Sequence, residues 1–259
     1  MRLPGNLLAR TPGTGTTAQN TGRGRLLLAG AAALAIGLLG AGIWWVRNQA
    51  VWFVDTNIRT EAGEHRELQL PGGARVVLNA VSELAYDQAD WASNPVVHLD
   101  GEAYFRVKGK ERFRIVSRQG LVQVVGTGIF NVYARGEALE VMCSNGKVQV
   151  SNKAESERVL LGKKEQVRIV RQKMQRREKL AHYPAWFKGE SQFHGVSPER
   201  AFRELERQFD VTVLADSLPD KPFSGKFGHQ RLNLAMQAVC KPLGLTWRTQ
   251  GQDTILVGR

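Results

Sequence analysis

From residue 55 to about 180 the chain runs in short stretches of alternating apolar and polar residues, set apart by turn residues. That is the pattern of an all-β fold. Residues 66–70, 75–78, 83–86, 96–99, 103–107 and 113–116 read as strands, followed by 121–125, 130–134, 139–143, 147–150, 159–161 and 166–170. Pro71-Gly72-Gly73 marks a turn, and Asp100-Gly101 separates two strands. Asn145-Gly146 predicts a two-residue hairpin between apolar runs, because both residue types tolerate positive φ. No amphipathic stretch of helical length interrupts this region, so residues 55–180 are expected to form a β-sandwich or β-roll.

Beyond residue 190 the period changes. Ser197-Pro198 is a helix start, and Phe202, Leu205 and Phe209 fall at i, i+3 and i+7, which places an apolar stripe toward a core. Glu199 and Arg203 have the spacing of a favourable pair on the wet side. Leu232, Met236, Val239 and Cys240 predict a second helix that stops before Pro242 and Gly244. Strands at 211–214, 223–227, 245–248 and 254–257 complete an order β-α-β-β-α-β-β in two similar halves. A small α+β domain over residues 190–259, with helices on one face of a sheet, is the expected result.

Upstream, residues 26–46 form an uncharged apolar run of 21 residues, including Leu26, Leu34 and Leu39 and ending in Trp44, Trp45 and Val46. A helix of that length covers roughly 30 Å, the thickness of a bilayer core. The run exceeds the roughly 7–15 residues of a signal-peptide core and ends without a small-residue cleavage site, so it reads as a retained anchor. Arg2, Arg10, Arg23 and Arg25 precede it and only Arg47 follows closely. The positive-inside bias then leaves residues 1–25 as a flexible cytoplasmic tail, with the remainder outside the inner membrane.

The net charge of +12 would suggest nucleic acid if it were spread over one domain. Instead the excess sits in two places: residues 1–47 hold 5 basic and no acidic residues, and residues 147–179 hold 11 against 4. No nucleic-acid partner is expected outside a membrane. The basic run 163–179 reads as an outward strand face with Val167, Ile169 and Met174 turned inward. Its functional alternative is docking to anionic lipid or an acidic partner. Cys143 and Cys240 lie in apolar runs and read as buried free thiols. His65, His98, His182, His194 and His229 are isolated along the chain, and no metal site is expected. Gly126-Thr127-Gly128 lacks the third glycine and the helix of a dinucleotide loop. The carboxylates Glu61/Glu64 and Glu204/Glu206 read as solvated. No catalytic constellation is present, no cofactor is expected, and the chain reads as a non-enzyme.

Three ordered motifs carry a family resemblance. Leu70-Pro71-Gly72-Gly73-Ala74-Arg75-Val76-Val77-Leu78-Asn79-Ala80 resembles the hairpin of the FecR family, through Leu70, Gly73, Leu78 and Asn79. Leu99 to Val107 is similar to that family's second motif through Gly101, Glu102 and Phe105, and 125–132 to its third through Gly126, Thr127, Phe130 and Asn131. The stretch 193–257 resembles the C-terminal domain of Bacteroidetes-type members. The resemblance implies a membrane-bound regulator of the kind first described for ferric dicitrate uptake. Such a regulator relays a signal from the signalling domain of an outer-membrane TonB-dependent transporter to an extracytoplasmic-function sigma factor, with motif positions that are structural. The α+β tail would then share the small signalling-domain fold of those transporters. Gly72 departs from the usual Asp of the turn, and Gly128-Ile129 puts one extra residue before Phe-Asn-Val, where a bulge is expected. Members usually carry a helical cytoplasmic region that grips the sigma factor, whereas only 25 residues without apolar periodicity precede this span. An envelope scaffold without sigma control is the alternative reading.

Overall fold

The computed structural model describes residues 55–109, 112–177 and 184–259. The tail 1–25 and the expected span 26–46 lie outside the described residues. Among those described, no helix is long and apolar enough to cross a membrane.

Eleven strands form one continuous sheet. They are β1 (Thr56–Thr60), β2 (Arg66–Gln69), β3 (Arg75–Leu78), β4 (Ser82–Tyr86), β5 (Val96–Val107) and β6 (Arg114–Val116). β7 (Gly120–Arg135), β8 (Ala138–Asn152), β9 (Arg158–Leu161), β10 (Glu165–Val170) and β11 (Lys173–Arg177) follow. Three of them are longer than the hydrophobic pattern suggests. β5 joins the stretches 96–99 and 103–107, β7 joins 121–125 and 130–134, and β8 joins 139–143 and 147–150. The expected Asn145-Gly146 hairpin is therefore not formed: the two residues lie inside β8, opposite Ile129 and Gly128. A glycine at positive φ marks a strand irregularity as readily as a turn. Gly146 has φ 84°, and a Cβ there would lie 2.2 Å from the Thr127 carbonyl oxygen. The register slips between Val124 and Gly128 and again between Ile129 and Phe130, where the third motif carries its extra residue.

Each long strand changes partners near its middle. The first half of β5 pairs with β4 and β6, and the second half with β3 and β7. β7 passes from β6 to β5, and β8 passes from β10 to β9. One sheet can thereby wrap a single core. Phe105 and Phe130 stack at its centre with centroids 5.2 Å apart. Leu78, Ile115, Val124, Leu139, Val148, Leu161, Val167 and Ile169 are buried around them, and Met174 packs against the cluster, so the basic run alternates as read. β5 changes partners at Gly101, at φ 132°, where a Cβ would lie 2.4 Å from the Ser82 Cβ.

The second core follows a short 3-10 turn, Trp186–Lys188. It is built from β12 (Glu190–Val196), α1 (Pro198–Phe209), β13 (Thr212–Ala215), β14 (Phe223–Gly228), α2 (Leu232–Leu243), β15 (Thr246–Gln250) and β16 (Thr254–Gly258). The element order is the one the periodicity gives, but the strands make two small sheets and not one. β12 pairs with β14, while β16 lies between β13, in parallel, and β15. α2 runs through Pro242 and ends at Gly244, whose left-handed backbone lets its N–H reach the Cys240 and Lys241 carbonyls. Phe202 and Leu205 are buried, and Phe209 packs against the same cluster. Cys143 and Cys240 are free and buried in separate cores, and burial pushes both thiols up to about 11.

Gly101→Ala is expected to destabilise the fold by about 2–4 kcal/mol, the sum of backbone strain and overpacking. Urea unfolding of the variant against the parent chain measures this; an unchanged midpoint would show that the strand pivot tolerates a side chain.

Candidate functional site

Strand alternation sends Ala103 and Phe105 of β5, with Phe130 and Val132 of β7, into the first core. The intervening residues Glu102, Tyr104, Asn131 and Tyr133 point the other way, and Glu140 stands opposite Tyr133 on β8. This outer face is covered by the C-terminal region. The Phe187 ring packs on Tyr104 at 4.8 Å. The Arg200 guanidinium lies 4.4 Å over the Tyr133 ring and pairs through both nitrogens with the Glu140 carboxylate. Arg168 of β10 reaches the same carboxylate at 2.9 Å.

At the centre of the face, one polar residue from each of the three motifs meets the others. Asn79 Nδ2 donates to Glu102 Oε2 at 2.8 Å, and Asn131 Nδ2 donates to Glu102 Oε1 at 2.7 Å. Both amides are oriented by groups that can only donate. Trp186 Nε1 donates to Asn131 Oδ1 at 3.2 Å, and the Ala80 backbone N–H donates to Asn79 Oδ1 at 2.8 Å. From the helix side, Gln208 Nε2 bridges Asn79 Oδ1 at 3.1 Å and Glu204 Oε1 at 2.9 Å. Glu204 is held by Arg207 at 2.6 Å and accepts from Ser191 Oγ at 3.2 Å; that hydroxyl also lies 2.9 Å from His229 Nε2. On the sheet side, Arg135 donates to the Val81 and Ala80 carbonyls and to Ser82 Oγ, which itself accepts from the Glu102 N–H. A buried hydrogen-bonded seam thus joins the two cores.

The two central carboxyls are driven apart. Burial raises the pKa of Glu102, and the Glu204 charge raises it further, against Arg135 and the two asparagines. Burial also opposes the charge on Glu204, but Arg207 and Arg135 outweigh it and hold that carboxyl well below the usual range. Glu204 is therefore the more firmly ionised of the two and stands at 6% side-chain exposure, a correction to its reading as solvated. The histidines are not all isolated in space either. His65 lies 5.4 Å from the Trp186 ring and 6.0 Å from His229, whose pKa burial lowers. Among the described residues, no group of three or more potential ligands could hold a metal ion.

Residues 56–149 match the family model described as FecR protein. This stretch is a FecR domain. Two crystal structures of a proposed anti-sigma factor from Parabacteroides distasonis ATCC 8503, at 2.50 Å and 1.65 Å, resemble more of the chain. They are 26% identical to it, cover 79% and 78% of it and 98% of their own chains, and superpose with TM-scores of 0.73 and 0.71. No curated protein matches the sequence.

Within the FecR domain the motif positions divide by role. Leu70, Leu78, Phe105 and Phe130 are buried in the core, while Asn79, Glu102 and Asn131 build the seam. Gly73, Gly101 and Gly126 have positive φ, and Thr127 is exposed, with its hydroxyl donating to the Gly109 carbonyl at 3.1 Å. Trp186 and Gln208 are not singled out from sequence, and Glu204 and His229 are read there as solvated and isolated. The signal for the helix residues was present: Arg200, Glu204 and Gln208 recur every four residues, a polar stripe beside the apolar one.

Glu102→Gln removes a buried charge but turns an N–H toward one of two asparagines that cannot rotate. It is expected to lose about 1–3 kcal/mol, the cost of an unsatisfied buried donor; a gain in unfolding free energy would mean that desolvation dominates. The seam also sets a pH profile. His229 is depressed from 6.5 and Glu204 from 4.5, so the stability each contributes is complete above those values and is lost as pH falls below them. Glu204→Gln should flatten the step below pH 4.5 and deepen the one below pH 6.5, because the Glu204 charge favours the His229 imidazolium, read from unfolding midpoints over roughly pH 3–8.

Proposed function

We propose that the chain is a single-pass inner-membrane regulator that holds its FecR and α+β domains in the periplasm, works without catalysis and acts by protein–protein contact. The FecR domain and the likeness to proposed anti-sigma factors support a regulatory role, with a sigma factor as the general kind of partner. In this reading a TonB-dependent transporter of the outer membrane engages the periplasmic part. The consequence passes through the span at 26–46 to an extracytoplasmic-function sigma factor. The observation that carries the reading is the seam: all three motifs place a polar residue where the C-terminal region seats on the FecR sheet. A contact made on one half therefore alters hydrogen bonds held by the other.

The test is recovery of the full-length chain from membranes of its own cells with an extracytoplasmic-function sigma factor bound, together with an active phosphatase fused at its C-terminus. Recovery from the soluble cytosol, an inactive fusion, or purified chain that retains no sigma factor overturns the proposal.

A further inference from the structure

Beside the seam, sheet and helix leave an open cleft of about 1150 Å³ between β1, the turn before β4, β7, β10 and α1. Small-molecule pockets run to roughly 300–1,000 Å³, so this one has room for a short peptide segment. Six arginines line it: Arg59, Arg135, Arg168, Arg200, Arg203 and Arg207. Their internal compensation is incomplete. Arg59 has Glu83, and Arg207 has Glu204. Arg168 and Arg200 share the single carboxylate of Glu140. Arg135 bonds only neutral acceptors and keeps its Nε buried without a partner. Arg203, exposed on α1, makes no ion pair among the described residues, so its expected pairing with Glu199 is not formed. Of the carboxylates that also line the cleft, Glu83, Asp100 and Glu137 are engaged by Arg59, Arg118 and Arg171. Glu61 and Glu199 are not.

We infer that this cleft is a docking site for a peptide segment of a partner protein that presents a carboxylate side chain to Arg203. Two features select that occupant. Arg203, whose planar fork has no carboxylate among the described residues, suits bidentate recognition of one. The unpaired Glu61 and Glu199 repel a continuous polyanion such as nucleic acid or an anionic membrane, but suit a chain that carries both signs and backbone N–H groups. The inference stands apart from sigma-factor control: a chain that binds the peptide and no sigma factor keeps the one and loses the other.

The probe is the capped peptide Lys-Gly-Glu-Gly, which carries both signs, titrated at low salt into isotope-labelled full-length chain in zwitterionic micelles and followed by the arginine Nε–H resonances. Capped Lys-Gly-Gln-Gly and inorganic phosphate are the controls. The expected result is saturable shifts with the glutamate peptide alone. Arg203→Ser, at an exposed and unpaired position that leaves the fold intact, should weaken binding about tenfold, and Glu199→Gln should strengthen it about threefold. Equal shifts with the glutamine peptide, equal or tighter binding of phosphate, or unaltered affinity in both variants overturns the proposal.

Discussion

A carboxylate without water must be supplied with donors, and Glu102 is the point at which this chain meets that demand. Its two oxygens are taken by Asn79 and Asn131, and its backbone carbonyl and N–H by Asn79 and Ser82. It directly follows Gly101, where β5 exchanges one pair of neighbours for another. The path of the sheet and the seating of the C-terminal region therefore turn on the same two residues. Neither asparagine can rotate, since one is fixed by a backbone N–H and the other by an indole. The geometry is settled from both sides at once.

Buried ion pairs of this kind add little net stability over an apolar packing, yet breaking one is costly, of order 3–5 kcal/mol. Their effect here is selective. Arg200 with Glu140 fixes which helix face meets which strand face, Arg207 holds Glu204 in place within α1, and Gln208 checks the register against Asn79. An apolar contact of similar area would tolerate sliding; a chain of directed donors and acceptors does not.

Much of the fold was legible because alternation and helical period report burial directly. The core positions Phe105, Phe130, Val167, Phe202 and Leu205, and the order of elements after residue 190, follow from spacing alone. Strand ends were less legible. Gly101, Gly128 and Gly146 carry the composition of turns, but long-range pairing holds the strands continuous through them. The seam was the least legible part. Alternation marks Glu102 and Asn131 as facing away from the core, and local pattern cannot tell water from a second layer. Only the long-range return of α1 makes that face an interior, and this also turns Glu204 from a wet residue into a buried one.

The Gly63 N–H, in the loop that follows β1, donates to the Arg207 carbonyl of α1 at 2.8 Å, and Thr60 of β1 bonds the Asn79 carbonyl. The last quarter of the polypeptide is thus tethered to its first described strand, immediately downstream of the hydrophobic run. A torque applied to the helix has no need to travel the length of the sheet. It reaches the loop after β1 through one amide, so two segments that lie far apart in sequence are mechanically next-door neighbours.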